Sequence, residues 1–204
     1  FINTGTSTTL AALQVGNTGS GTGIHVKYCI FETSYVFTSY IVTTQASDII
    51  FDDVEVITNQ TAISNAALDC FSFSDNMIIR NCNVHENTLG SYCIGIRVAN
   101  ESLIENTTIN ITGPDATGIN MNMGSSAGYL TRIYDCTIDI DDGEGISEGG
   151  ISYINPIEIR TTTVNAKSLT LSHAGGGTSS MAFTQTNPNT GSYGIQVFSG
   201  IITF

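Results

Sequence analysis

Residues 81–93 read NCNVHENTLGSYC, and Cys82, His85 and Cys93 are the side chains whose types first suggest a metal site. Thiolate and imidazole are the usual ligands of a tetrahedral ion such as zinc. A second chemistry is offered by DIDDGEGISEGG, which carries Asp139, Asp141, Asp142, Glu144 and Glu148. Such acids can chelate calcium with the help of backbone carbonyls, or place two carboxyl groups across a glycosidic bond. The spacing fails the EF-hand pattern, and glycine-rich calcium repeats are absent. A solvated loop after a strand is the reading expected for this segment. His25, His85 and His173 are scattered, with no serine or cysteine nucleophile beside them. No phosphate loop or dinucleotide fingerprint occurs. Tyr92, Tyr129 and Tyr153 stand near loops, where they could stack on sugars, although covering surface is the commoner role for such rings.

What must position these groups is a repeat. The segments IHVKYCIF, IIFDDVEV, MIIRNCNV, SLIENTTI, TRIYDCTI and IEIRTTTV align, with Cys29, Val54, Cys82, Thr107, Cys136 and Thr162 as the shared reference position. The steps between them are 25, 28, 25, 29 and 26 residues. Apolar residues recur three positions before the reference (Val26, Phe51, Ile79, Ile104, Ile133, Ile159) and two after it (Phe31, Val56, Val84, Ile109, Ile138, Val164). Between them lies a column of Tyr28, Asp53, Asn81, Asn106, Asp135 and Thr161, rich in side chains that tolerate a left-handed bend. A further strand is expected at ALDCF from Ala67, GIRV from Gly95, GINM from Gly118 and GISY from Gly150. Units of this size with two or three short strands cannot bury their own apolar faces and must stack. The expected fold is all-β, a right-handed parallel β-helix of six to seven coils. At about 4.8 Å per rung, six coils make a rod roughly 29 Å long.

The register decides the opening question. Cys82 shares its column with Val54, Thr107 and Thr162, small residues of a core in which a free cysteine acts as a small hydrophobe. His85 follows inward Val84 and points outward, so the metal reading is disfavoured. Cys29, Cys82 and Cys136 lie on alternate rungs, about 9.6 Å apart, too far to bridge. Cys70 aligns with inward Val98, whereas Cys93 has the parity of outward Arg97 and is expected as an exposed or loop thiol. Five cysteines cannot all pair within one chain. Arg80 and Arg160 occupy one repeat position and are expected along a solvated face. Asn59, Asn100, Asn106 and Asn110 match the N-glycosylation pattern, with Asn106 disfavoured by its corner position. An ice-binding threonine ladder is not expected, because TTT at 161 stands in only one coil.

Residues 1–23 read as an incomplete first coil with LQV as its strand, 24–167 as the coils, and 168–204 as a β-rich C-terminal cap or interchain segment. The chain has 204 residues, 41% hydrophobic and 12% charged, too apolar for a disordered chain. Six Lys and Arg against 18 Asp and Glu give a net charge of −12 and exclude clustered cations for nucleic-acid binding. No apolar run approaches the length of a membrane span, so no membrane insertion is expected. The first residue, Phe1, suggests a fragment or a processed chain.

The RNCNV, YDCTI and GI.V segments resemble the pectin-lyase-like superfamily of right-handed β-helices over about residues 24–165. That superfamily contains polysaccharide lyases and glycoside hydrolases, trimeric viral tail spikes, and secreted adhesins. The hydrolase motifs Asn-Thr-Asp, Gly-His-Gly and Arg-Ile-Lys are absent, and only four arginines occur: Arg80, Arg97, Arg132 and Arg160. No catalytic, metal or cofactor residue is therefore assigned. The resemblance implies a structural, non-enzymatic module of a virion tail spike or extracellular fibre. It would form a homotrimer through residues 168–204 and attach to a surface polysaccharide or receptor. The alternatives are a polysaccharide lyase or glycoside hydrolase, and a self-assembling cell-surface or sheath protein.

Overall fold

A computed structural model shows an all-β parallel solenoid, with no helix among the described residues. Described are residues 2–3, 13–15, 23–33, 40–44, 48–59, 68–72, 76–87, 93–98, 101–122, 130–149, 157–171, 179–186, 195–197 and 202–203. Three faces run along the stack. The first joins the early part of His25–Thr33 and of Ile50–Asn59 to Ile78–Arg80, Leu103–Glu105, Thr131–Tyr134 and Ile157–Arg160. The second continues from the same two long strands through Asn83–Asn87, Thr108–Thr112, Thr137–Ile140, Thr162–Ala166 and Ser179–Gln185. The third runs from Leu13–Val15 through Tyr40–Thr44, Leu68–Ser72, Cys93–Val98, Ala116–Asn122, Gly143–Gly149 and Ser168–Leu171 to Ile195–Val197.

The six sequence copies occupy consecutive rungs. Phe31 pairs with Val56, Val56 with Val84, Val84 with Ile109, Ile109 with Ile138, and Ile138 with Val164. All six are buried, as is the first-face column Phe51, Ile79, Ile104, Ile133 and Ile159. Fully burying one such side chain contributes about 1.5–3 kcal/mol, so the alternation of β-branched residues is what drives stacking.

The bend between the first and second faces explains the polar column. Tyr28, Asp53, Asn81, Asn106, Asp135 and Thr161 all have φ between 45° and 57°. A left-handed residue costs about 1–2 kcal/mol, least for Asn and Asp. Bonds between rungs offset it: the backbone N–H of Asn81 donates to Glu105 O at 3.1 Å, Asn106 to Tyr134 O at 3.0 Å and Asp135 to Arg160 O at 2.9 Å. The side chains add a ladder, with Asn106 Nδ2 donating to Asn81 Oδ1 at 2.8 Å and Asn81 Nδ2 to Asp52 Oδ1 at 2.9 Å.

The reference column is more than a row of small hydrophobes. Cys29, Cys82 and Cys136 each donate Sγ–H to the carbonyl two residues earlier at 3.1 Å, and Thr107 and Thr162 make the same bond at 2.9 and 3.0 Å. The column alternates Cys and Thr because both are small and both can close this corner. Val54 is the exception, since it carries no donor.

On the third face, Gly95, Gly118 and Gly145 form a column where the in–out alternation slips. Both Gly95 and Ile96 are buried, as are Gly118 and Ile119, and Gly145 and Ile146. A Cβ on Gly118 would lie 2.6 Å from Gly145 O and 2.6 Å from Ile138 Cγ2, so only glycine fits. The slip ends at the next rung, where the pair Gly145–Ile146 spans a register shift against Ser168–Leu171, a β-bulge.

This slip corrects two sequence expectations. Cys93 is buried, not an exposed or loop thiol, because parity carried back from Arg97 inverts at the glycine. The pairings of Asp69 with Ile94 and Phe71 with Ile96 set Cys70 opposite Gly95, not Val98. On this face Gly143–Gly149 pairs with Ala116–Asn122; the strand expected from Gly150 falls on residues 150–156, outside the described ones.

At the ends, Leu13–Val15 is a strand paired with Tyr40–Thr44. Within 168–204, Ser179–Gln185 stacks on Thr162–Ala166, Ile195–Val197 on Ser168–Leu171, and Ile202–Thr203 on Ser179–Ser180. The described strands of this segment thus extend the same sheets.

Candidate binding groove

The stacking separates the residues that first suggested metal chemistry. Cys82 is buried at the first corner, His85 points outward from the second face, and Cys93 is buried under the third. Among the described residues, no group of three or more His, Cys, Asp and Glu could hold a metal ion. Burial pushes the thiol of Cys82 up to about 11 and that of Cys136 up to about 12.

The acidic segment is a corner between two strands, not a loop. Asp139 lies in Thr137–Ile140, Asp141 and Asp142 form the bend, and Glu144 lies in Gly143–Gly149. Asp139 accepts a bond from Asn165 Nδ2, Asp142 faces Lys167 Nζ at 2.9 Å, and Glu144 accepts from Thr170 Oγ1 at 3.0 Å. The acids are therefore divided between two faces. Of Glu148 only the backbone is described, and His173, Tyr92, Tyr129, Tyr153 and Asn100 lie outside the described residues.

Outward columns on the second face do come together. Thr108, Thr137 and Thr163 stack on three consecutive rungs, so the outward threonines extend beyond the single coil expected. Beside them run Asn110, Asp139 and Asn165 in register. Past these, where the chain turns towards the third face, lies a depression of roughly 340 Å³ lined by Asn110, Thr112, Asp139, Asp141, Asn165 and Thr186. A neighbouring one of roughly 160 Å³ shares Asn110 and Thr112 and adds Asn59, His85 and Asn87. Together they make a shallow groove along the solenoid, in which Ile57, Ile111 and Ile140 stand among the polar side chains. The turn after the second face shortens from 113–115 to 141–142 to Lys167 alone, which keeps this wall close to the sheet.

The first face is spent on ion pairing. Asp52 is buried and receives Arg80 at 2.9 Å, Lys27 at 3.1 Å and His25 Nε2 at 3.6 Å. Hydrogen bonds from Arg80, then Asn81 and Lys27, hold its carboxyl well below the usual range. One end of the same face has Glu158 buried against Arg160 and the Tyr134 hydroxyl, and the Tyr134 bond foremost lowers its pKa. Arg80 and Arg160 share a column as expected, but each is tied to a buried acid. Asn106 is exposed, yet its amide serves the corner ladder; Asn59 and Asn110 are exposed on the second face.

Neither the outward threonines nor the groove is found by sequence reasoning. The in-register spacing of T-x-[ND] at 108, 137 and 163 is the available signal. Comparison with family models, curated proteins and solved structures finds no match.

Proposed function

We propose that the chain is a structural, non-enzymatic solenoid module of a virion or other extracellular fibre, a stiff spacer that offers one long face to a surface glycan or receptor. The observation that carries this reading is the bonding between rungs at the first corner. Backbone amides and the Asn ladder hold one rung on the next, and in the Cys/Thr column the backbone N–H of Cys82 and of Cys136 donates across rungs to Thr107 Oγ1 at 3.4 Å and Thr162 Oγ1 at 3.5 Å. Lateral association into a homotrimer is supported by the outward column Ile50, Ile78 and Leu103, three half-buried apolar residues in register on the first face. Residues 168–204 are the second candidate contact between chains. Membership of the pectin-lyase-like superfamily fits the polar corner column and belongs to the same proposal. Electron microscopy of the purified chain tests it: discrete short rods are expected, and open-ended filaments would favour a sheath-like polymer instead.

A second reading is favoured by one observation. Asp139 and Asp141 both line the groove, and glycoside hydrolysis draws on a pair of carboxyl groups. Polymer cleavage that disappears in both Asp139→Asn and Asp141→Asn would establish the hydrolase and displace the fibre reading.

A further inference from the structure

We propose that the groove on the second face binds an amino-sugar glycan lying along the solenoid axis, in preference to a neutral or acidic one. The inference rests on the reading of the chain as an attachment module and names the ligand class. The groove crosses the rungs from Asn59 to Thr186, five steps of the stack and so about 24 Å. That is long enough for several sugar units.

Over three rungs its lining carries an amide or a carboxylate at the same position, preceded by His85 and Ile57. Asn110, Asp139 and Asn165 form one column, with Thr112 and Asp141 in the next. A polymer lying along the axis meets Asn110, Asp139 and Asn165 in turn. Carboxamides both donate and accept, so they suit sugar hydroxyl and acetamido groups. Carboxylates only accept, and they attract an ammonium group.

Electrostatics selects among glycans. The ionisable lining is Asp139 and Asp141 at one end and the buried Glu86 with His85 at the other, with no lysine or arginine. The nearest cation, Lys167, is held on Asp142 at 2.9 Å. An acidic glycan would bring its charge against these carboxylates on a chain of net charge −12. A protonated amino sugar is drawn to the same place, and its hydroxyls are left to the amides.

The test is calorimetric titration of the full chain with three hexamers: glucosamine, N-acetylglucosamine and galacturonic acid. The expected order is glucosamine at least tenfold tighter than N-acetylglucosamine, with no heat from galacturonic acid. In the double variant Asp139→Asn with Asp141→Asn, the tenfold preference collapses while N-acetylglucosamine binding is kept. In a control variant with Asp53→Asn and Glu101→Gln, two exposed acids outside the groove, the preference stays. Thermal melts of both variants confirm folding. Tight binding of galacturonic acid, a preference that survives in the groove variant, a preference lost equally in the control, or no binding of any hexamer would each overturn the proposal. Solution mass read on the same samples separates the two ideas. A stable oligomer that binds no glycan removes only the groove assignment, whereas a monomer that binds glucosamine removes only the assembly.

Discussion

At the residue scale, the fold depends on side chains that reconcile a left-handed backbone with continuous stacking. Asn106 is the clearest case, since it adopts φ 45° and bonds to both neighbouring rungs. Asn106→Ala should lower stability by about 1–2 kcal/mol, and Asn106→Gly by less because glycine accepts the bend without strain. Chemical denaturation of both variants checks the order; equal losses would assign the cost to the ladder alone. Asp52 supplies a pH dependence. Its folded pKa lies below the unfolded one, through bonds from Arg80, Asn81 and Lys27. Its contribution is therefore present above the ordinary carboxylate range and lost as pH falls towards the folded value. Asp52→Asn should flatten the acid limb of a stability–pH curve, and an unchanged limb would show that other carboxylates govern it. The thiols of Cys82 and Cys136, buried and pushed up to about 11 and about 12, should resist alkylation at pH 8 until the chain is unfolded. Mass-mapped labelling that modifies either one in the folded protein would contradict this.

At the element scale, the inward columns and the polar corner are legible in the sequence because both obey simple periods. Val84, Ile109 and Ile138 recur at the repeat spacing, and Asn81, Asn106 and Asp135 mark the break in alternation between two strands. Parity fails where a backbone feature interrupts it. It misplaces Cys93 because the slip at Gly95–Ile96 inverts the faces, and a glycine in a single sequence does not announce a bulge. The Asp139–Glu148 segment misleads because a two-residue bend joins its strands, where a run of acids and glycines suggests a loop. The groove cannot be seen from any one copy, since its lining comes from adjacent rungs and the closeness of its wall depends on the turn lengths. The glycine column offers a test of the slip: Gly118→Ala places a Cβ 2.6 Å from both Gly145 O and Ile138 Cγ2. It should destabilise by about 1–3 kcal/mol. A wild-type melting temperature would mean that the second and third faces pack less closely here.

At the scale of the whole molecule, the first face holds the buried acids Asp52 and Glu158 in ion pairs, the second carries the groove, and apolar residues fill the interior. The proposed assembled shaft draws on the half-buried apolar column of the first face and the groove of the second. The corner bonds would account for its stiffness, and the Ile50–Ile78–Leu103 stripe for its assembly. Solution mass by light scattering tests this most directly. Three times the 21.6 kDa chain mass is expected, falling to a single chain mass in Ile78→Asp with the β-sheet circular dichroism retained. A wild-type monomer, or a trimer that Ile78→Asp leaves intact, would refute the assembled shaft.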